Sequence, residues 1–499
     1  MKKICLAFLA LTLIGLAGPL STASGSDPAV PGYVVDNFDS DTTTDWIPAH
    51  SNVISDVDIN GTRLRVSGLG ADDFAQSTRV HQRATFRNFI ARAVFLDETD
   101  VPEIHGRVTD SLLGVRLSLD PSAGNRVRLL TGDGTEEKLS FLRSGPQPYG
   151  LEVRVWEDGV SVVQRTSKGA IRHVRFVKDD AFAAPAVSNV GLGSNREFAD
   201  ISSFECRELD RLTQVVVIGD SQSQLHVIGQ PSYGVWPNKN HWVQVLEKYR
   251  DEPVIFIDSA QGGYTLKNLN DEIESRWTSL LLQDADHVAV IFAGINDFNR
   301  FGRGTVDVAW SRLQQLLDSV RPDAERILVC TLPPKANLTA KIVAFNDRIR
   351  QNAATLGYEV VDYFQLLADP NDDSAYADPN YLYKDGLHLA LAAHEQMAPE
   401  LEAVLRMPVA PASLTAEATA PGAVTLTWET SPYATGYRIQ RQSAGGAWIT
   451  LATVSGSGSE GTGSYTDNQL APAQEYRYRV QAVNDVGASA FMVADPVGL

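Results

Sequence analysis

Three hydrophobic patterns follow one another along the chain. From residue 31 to 208 apolar and polar positions alternate in short runs, as in Leu151-Glu-Val-Arg-Val-Trp156 and Ile171-Arg-His-Val-Arg-Phe176, the first closed by the turn Glu157-Asp158-Gly159. A period of two predicts half-buried strands, and turn residues at short spacing without a long helical pattern predict a two-sheet sandwich. From 209 to 407 short apolar runs alternate with helical stretches. The strand candidates are Val215–Ile218, Val254–Ile257, Val288–Phe292, Ile327–Thr331 and Glu359–Val361. Between and after them lie the helix candidates Trp242–Tyr249, Leu269–Leu282, Val306–Val320, Lys341–Leu356 and Leu389–Leu405. In Val306–Val320 the residues Val306, Ala309, Trp310, Leu313, Leu316, Leu317 and Val320 recur at helical spacing. Such alternation implies right-handed βαβ units and a parallel sheet covered on both faces.

The third pattern, residues 408–499, follows the Pro-rich linker Pro408 to Pro411. Trp428, Tyr437, Leu470-Ala-Pro472 and the run Tyr476–Asn484 resemble a fibronectin type III domain over nearly its whole length. The resemblance implies that Trp428 and Tyr437 are early core residues and that Tyr476 ties its strand corner to nearby backbone. The Gly/Ser tract Ser455–Ser464 reads as a flexible loop. The predicted architecture is therefore multidomain: a central α/β domain flanked by all-β sandwich domains.

Charge and composition narrow the setting. The 499 residues carry a formal net charge of −18, which argues against nucleic acid or an anionic membrane as partner. Lys2 and Lys3 precede the apolar stretch Ile4–Leu16, and small residues lead to Ser21-Thr22-Ala23. This order predicts a signal peptide over residues 1–23, cleaved after Ala23, and a secreted, extracellular or periplasmic protein. The apolar run is too short for a membrane span. Of the three cysteines, Cys5 would leave with the leader, while Cys206 and Cys330 lie in different predicted domains, so no disulfide framework or cysteine metal site is expected.

The chemistry gathers at the ends of the predicted parallel strands. The run Val215–Ile218 ends in Gly219-Asp220-Ser221-Gln222-Ser223-Gln224. Asp258-Ser-Ala-Gln-Gly262-Gly263-Tyr-Thr265 follows the second strand, and Gly294-Ile-Asn296-Asp297 the third. Asp385-Gly-Leu-His388 comes just before the last helix. Parallel strands carry their C-terminal loops to one edge, so the four loops converge. Acyl transfer needs a nucleophile, a base, a group that orients the base and donors for an oxyanion. Ser221 supplies the hydroxyl, His388 the base and Asp385 the orienter. Asn296, a glycine N–H at 263 and the N–H of Ser221, near the start of a helix, supply donors.

Over residues 214–405 these four motifs, in this order, resemble the SGNH (GDSL-type) hydrolases. The resemblance implies a three-layer α/β/α fold of flavodoxin-like strand order and ester hydrolysis through an acyl-serine, without metal or organic cofactor. Matched motif to motif, Ser221, Asp385 and His388 are the triad, and Ser221, Gly263 and Asn296 form the oxyanion hole. Gln222 stands where the family name has leucine. The family's Asn-x-Gly-x-x-Gly reads Asp258-x-Ala260-x-x-Gly263, so aligning on Thr265 selects Gly263 but leaves Gly262 open. Ser223 replaces the last glycine of a Gly-x-Ser-x-Gly elbow, which disfavours the α/β-hydrolase fold.

Several neighbours have competing readings. Asp220 and Asp297 read as turn support, since an Asp in such a turn bonds local backbone. His226, Trp236, His241, Tyr264 and Phe298 line a substrate cleft or simply pack; His394 reads as a packing or surface residue. The acidic run Asp369–Asp378 lacks the glycine and terminal glutamate of a calcium loop and reads as solvated. Val190-Gly-Leu-Gly193 with Ala199–Cys206 loosely resembles the last strands of concanavalin-like jelly rolls. That resemblance implies glycan binding, with Trp46 or Trp156 as stacking platforms, against the alternative of core tryptophans in a spacer. The leading expectation is a secreted serine esterase that deacetylates a polysaccharide or oligosaccharide. The alternatives are a lipase, lysophospholipase or thioesterase of the same family, and an inactive extracellular adhesion protein.

Overall fold

The computed structural model describes strands and short connections between residues 33 and 208, then 209–224, 240–249, 252–299, 304–431, 433–443, 446–456, 461–468 and 470–499. The leader (1–23), Trp46's side chain, and His226 and Trp236 lie outside the described residues. Two compact units make up the chain: one runs to Leu212 and takes in Leu282–Asp284, and the other holds Thr213–Leu281 and Ala285–Leu499.

The first unit is built from two antiparallel sheets of eight and seven strands. In the larger sheet Tyr149–Trp156 pairs with Phe89–Phe95 on one side and Gly159–Thr166 on the other. The alternation in Leu151–Trp156 predicted one wet face; instead both faces are buried, Glu152 and Arg154 as fully as Leu151 and Val155. A buried charge persists only when paired. Glu152 receives Arg92 Nε and Arg154 Nε, both at 2.8 Å, with Arg165 Nη2 at 3.2 Å. Burial pushes the Glu152 carboxyl up, but Arg154, Arg92 and Arg165 outweigh it and hold it far below the carboxylate range. Trp156 is 3 % exposed and its indole donates to the Gln283 carbonyl at 2.8 Å, so it presents no platform to a sugar. Cys206, in this unit, is buried and forms no disulfide among the described residues.

The second unit begins with five parallel strands: β1 (Thr213–Gly219), β2 (Val254–Asp258), β3 (Asp286–Phe292), β4 (Arg326–Cys330) and β5 (Glu359–Val361). Their order is β2-β1-β3-β4-β5, the expected flavodoxin-like arrangement. All seven residues of β1 are buried, as a central strand covered on both faces requires. Helices α1 (His241–Lys248), α2 (Leu266–Asp271), α3 (Ile295–Asn299), α4 (Val306–Val320), α5 (Thr339–Leu356) and α6 (Leu391–Arg406) accompany the sheet. The stretch Leu269–Leu282 is not the single helix its pattern predicts. After α2 it continues as Ile273–Arg276 and a 3₁₀ turn at Thr278–Leu280. Trp277 between them is fully buried with its backbone at φ −137° and ψ −73°, outside the helical region.

From Leu414 the chain forms two further antiparallel sheets. Trp428 and Tyr437 are buried with ring centroids 5.3 Å apart. The Tyr476 hydroxyl accepts the Ala471 N–H at 3.0 Å, the corner that the fibronectin resemblance implies. The Gly/Ser tract lies partly in strand, since Ile449–Ser455 and Thr462–Asn468 flank a shorter connection.

Candidate active site

Each candidate residue sits where a strand hands over to a loop. Gly219 ends β1 in very close quarters: a Cβ there would lie 2.6 Å from the Phe292 carbonyl oxygen, so only glycine lets β1 run beside the end of β3. Asp220 then closes a turn in which its carbonyl accepts from Ser223 N–H and Gln224 N–H at 3.1 and 3.0 Å. Ser221 therefore rides on a hydrogen-bonded turn rather than in a helix among the described residues. The loop after β2 continues the ladder, with Ser259 and Gln261 donating to Val217 and Gly219 carbonyls at 3.0 Å each. That keeps Gly262 next to the serine, where a Cβ on it would lie 3.7 Å from Ser221 Cβ.

His388 Nε2 is 2.8 Å from Ser221 Oγ, and its Nδ1 is 2.6 Å from Asp385 Oδ2. The carboxylate makes Nδ1 the protonated nitrogen, which leaves Nε2 to accept the serine proton. Asp385 Oδ1 accepts the N–H groups of Leu387 and His388 at 2.9 and 3.0 Å. Burial pushes Asp385 up, yet the His388 backbone N–H, the imidazole and the Leu387 N–H together bring it below the usual carboxylate value. His388 is held below the ordinary imidazole value, chiefly by burial; Asp385 opposes the shift and the Lys335 ammonium adds to it. Lys335 also donates to the Gly386 carbonyl, inside the same turn.

The donor side is equally specific. Asn296, at the start of α3, gives one amide hydrogen to the Tyr264 carbonyl at 2.9 Å, which orients its second N–H. Gly263 has φ +79°, the left-handed region natural to glycine. Gly262 donates its N–H to Gln224 Oε1 at 2.8 Å. Serine, imidazole, carboxylate and directed donors on one sheet edge can add a hydroxyl to an ester carbonyl and shelter the resulting oxyanion.

Residues 217–396 match the model of the GDSL-like Lipase/Acylhydrolase family, and 409–493 match the Fibronectin type III domain. The central domain is a GDSL-family acylhydrolase domain. Similar solved structures include a lipolytic G-D-S-L protein from Veillonella parvula, 14 % identical, covering 39 % of this chain and 100 % of that one, TM-score 0.33. A variant of an acetyl xylan esterase from Geobacillus stearothermophilus is 18 % identical, with 39 % and 95 % covered and a TM-score of 0.32. A GDSL-like lipase from Bacteroides thetaiotaomicron is 18 % identical, with 39 % and 87 % covered and a TM-score of 0.31. No curated protein sequence matches the chain significantly.

Around Ser221, His388 and Asp385 the remaining candidates separate by what they touch. Asp220 Oδ1 accepts Gln222 N–H at 3.0 Å, as turn support. Its Oδ2 is buried without a partner among the described residues, and burial, with the nearby Asp297 charge, raises its carboxyl to about 7. Asp297 bridges elements: Oδ2 accepts Leu266 N–H at the start of α2, and Oδ1 accepts Arg312 Nη1 from α4, both at 2.8 Å. His241 and His394 are core residues whose Nδ1 atoms are 3.0 Å apart, and Phe298 packs on Phe345. Tyr264 gives its hydroxyl to Glu272 at 2.7 Å. The acidic run forms the half-buried hairpin Ala368–Asp369 with Asp372–Tyr376, and Asp369, Asp372 and, after the hairpin, Asp378 accept nearby backbone N–H groups. The sequence singled out neither Gln222, Lys335 nor Arg312 for a role at the site. Glutamine, lysine and arginine carry no motif signal when their partners are backbone carbonyls and a carboxylate on distant loops.

Proposed function

We propose that the protein is a secreted serine esterase, with Ser221 as nucleophile, His388 as general base and acid, and Asp385 as the group that orients His388. The observation that carries the reading is the continuous chain Ser221 Oγ, His388, Asp385 at 2.8 and 2.6 Å. Ser221 Oγ attacks the ester carbonyl carbon as its proton passes to His388 Nε2. The N–H groups of Ser221 and Gly263 and the Asn296 amide receive the oxyanion. The tetrahedral adduct collapses, the alcohol leaves with the proton from Nε2, and an acyl-serine remains. Water, deprotonated by the same nitrogen, then releases the acid and restores the serine. None of these steps requires a metal or organic cofactor.

The proposed substrate is a short acyl ester, acetyl above all, on a polysaccharide or oligosaccharide. Its support is the leader-like N-terminus, which suits export, and the attachment of the GDSL domain to a β-rich unit and a fibronectin type III domain. Purified protein should release p-nitrophenol from p-nitrophenyl acetate, and Ser221→Ala should lose that activity while melting like the wild type. An alanine variant of full activity rejects the site. Acetate release from natively acetylated polysaccharides tests the substrate class, and a preference for long acyl chains would instead indicate a lipase.

A further inference from the structure

The residue after the proposed nucleophile bridges to the loop that carries the base. Gln222 is 3 % exposed, and its amide reaches across to the backbone on either side of His388. Nε2 donates to the Leu387 carbonyl at 2.9 Å, and Oε1 accepts the Leu389 N–H at 3.1 Å. Those two contacts need one donor and one acceptor on the same planar group, which a primary amide supplies and an aliphatic side chain cannot. Other backbone ties on this turn among the described residues include Tyr383 N–H to His388 O at 2.8 Å, Gly386 N–H to Tyr383 O at 2.9 Å, and Lys335 to Gly386 O. Gln222 alone among them belongs to the same turn as Ser221.

We infer that Gln222 is a positioning residue that sets the Ser221–His388 geometry by holding the Leu387–Leu389 backbone at a fixed offset from the nucleophile. The inference rests on the esterase reading. Ser221 and Gln222 are consecutive, so any displacement of the serine turn carries the histidine turn with it. The proton then has the same short path at every stage of the reaction. Without the amide, Leu389 N–H and Leu387 O lose their partners in a buried place, and the histidine turn must shift to find others. A shift on the order of an ångström in a catalytic pair can cost about a hundredfold in rate. Gln224, two residues on, reaches the opposite loop through Gly262 N–H at 2.8 Å and supplies the comparison.

The test uses the full chain with p-nitrophenyl acetate and, independently of turnover, the NMR titration of the His388 imidazole. Gln222→Leu, which keeps the volume and removes both hydrogen bonds, should lower kcat by roughly ten- to a hundredfold with KM within about twofold. His388 should titrate at higher pH, nearer the ordinary imidazole value, as its turn loosens toward water. Gln222→Glu should approach wild-type activity, measured at the same pH, as the pH falls, because a protonated carboxyl again donates to Leu387 O and accepts from Leu389 N–H. Gln224→Leu should lower kcat with the His388 titration in place. Unchanged kcat and His388 titration in a folded Gln222→Leu would overturn the inference, as would an equal His388 shift in Gln224→Leu. Inactive wild type would count against the esterase reading instead, while the His388 titrations would still decide the role of Gln222.

Discussion

His388 Nε2 lies 2.8 Å from the Ser221 hydroxyl, although 167 positions separate the two residues in the chain. The serine comes from the end of the first strand of the sheet and the histidine from the loop before the last helix. Only the convergence of strand ends brings them together.

The carboxylate behind the histidine should matter nearly as much as the histidine. Asp385→Asn replaces the acceptor for Nδ1–H and favours the wrong tautomer, so kcat for p-nitrophenyl acetate should fall by roughly 10³- to 10⁴-fold with the fold intact. On the donor side, Asn296→Ala should cost roughly 10²- to 10³-fold in kcat with little change in KM, because the amide acts on the oxyanion rather than on the ground-state ester. Steady-state kinetics on both variants checks the pair.

The acid limb of the pH profile should lie below the ordinary imidazole value of 6.5, since burial and Lys335 both disfavour the imidazolium. The base is active when neutral, so a lowered value extends activity toward acid. Lys335→Met removes a cation beside the imidazole and should move the limb of kcat/KM to higher pH. A limb that stays in place, or moves down, would show that Lys335 does not act on His388.

Arg312 stabilises the carboxylate of Asp297, whose side chain is 1 % exposed. Arg312→Ala should destabilise the protein by about 1–3 kcal/mol, the cost of a buried group that loses a partner. Asp297 still keeps the Leu266 N–H, and Arg312 itself is partly exposed, which limits the loss. Chemical denaturation measures it.

Acid should also unfold the central domain through a histidine pair. His241 and His394 stack with centroids 5.2 Å apart, and the rings of Phe292 and Tyr363 pack against His241. Burial lowers both imidazoles, His394 to about 3. Below pH 6.5 the unfolded chain takes up protons that the folded chain refuses, so the stability is present above 6.5 and drains away toward pH 3. The melting temperature should fall across that window. His394→Gln, which can still accept the His241 backbone N–H, should show a shallower fall.

Periodicity and motif order in the sequence determined the parallel sheet and the four loops, while the sheet's flavodoxin-like order was what the family resemblance implied. A buried parallel strand has to be apolar throughout, and a tight strand exit has to be glycine, as the Gly219 contact with Phe292 shows. These constraints are local, so they are written in local sequence. The fibronectin type III core was legible for the same reason, with Trp428, Tyr437 and Tyr476 at recognisable spacings.

What only the tertiary structure decided are contacts between residues far apart in the chain. The polar face of Leu151–Trp156 looked wet because alternation reports polarity, whereas the arginines around Glu152 let that face be buried. The helix expected over Leu269–Leu282 broke after Asp271 and again at Trp277, which is buried in the core. The amide of Gln222 found the backbone beside His388, and Asp297 found Arg312 and Leu266. A hydrogen bond to a distant backbone group leaves no period and no spacing in the sequence, so the residues that hold the site together appear only once the chain has folded.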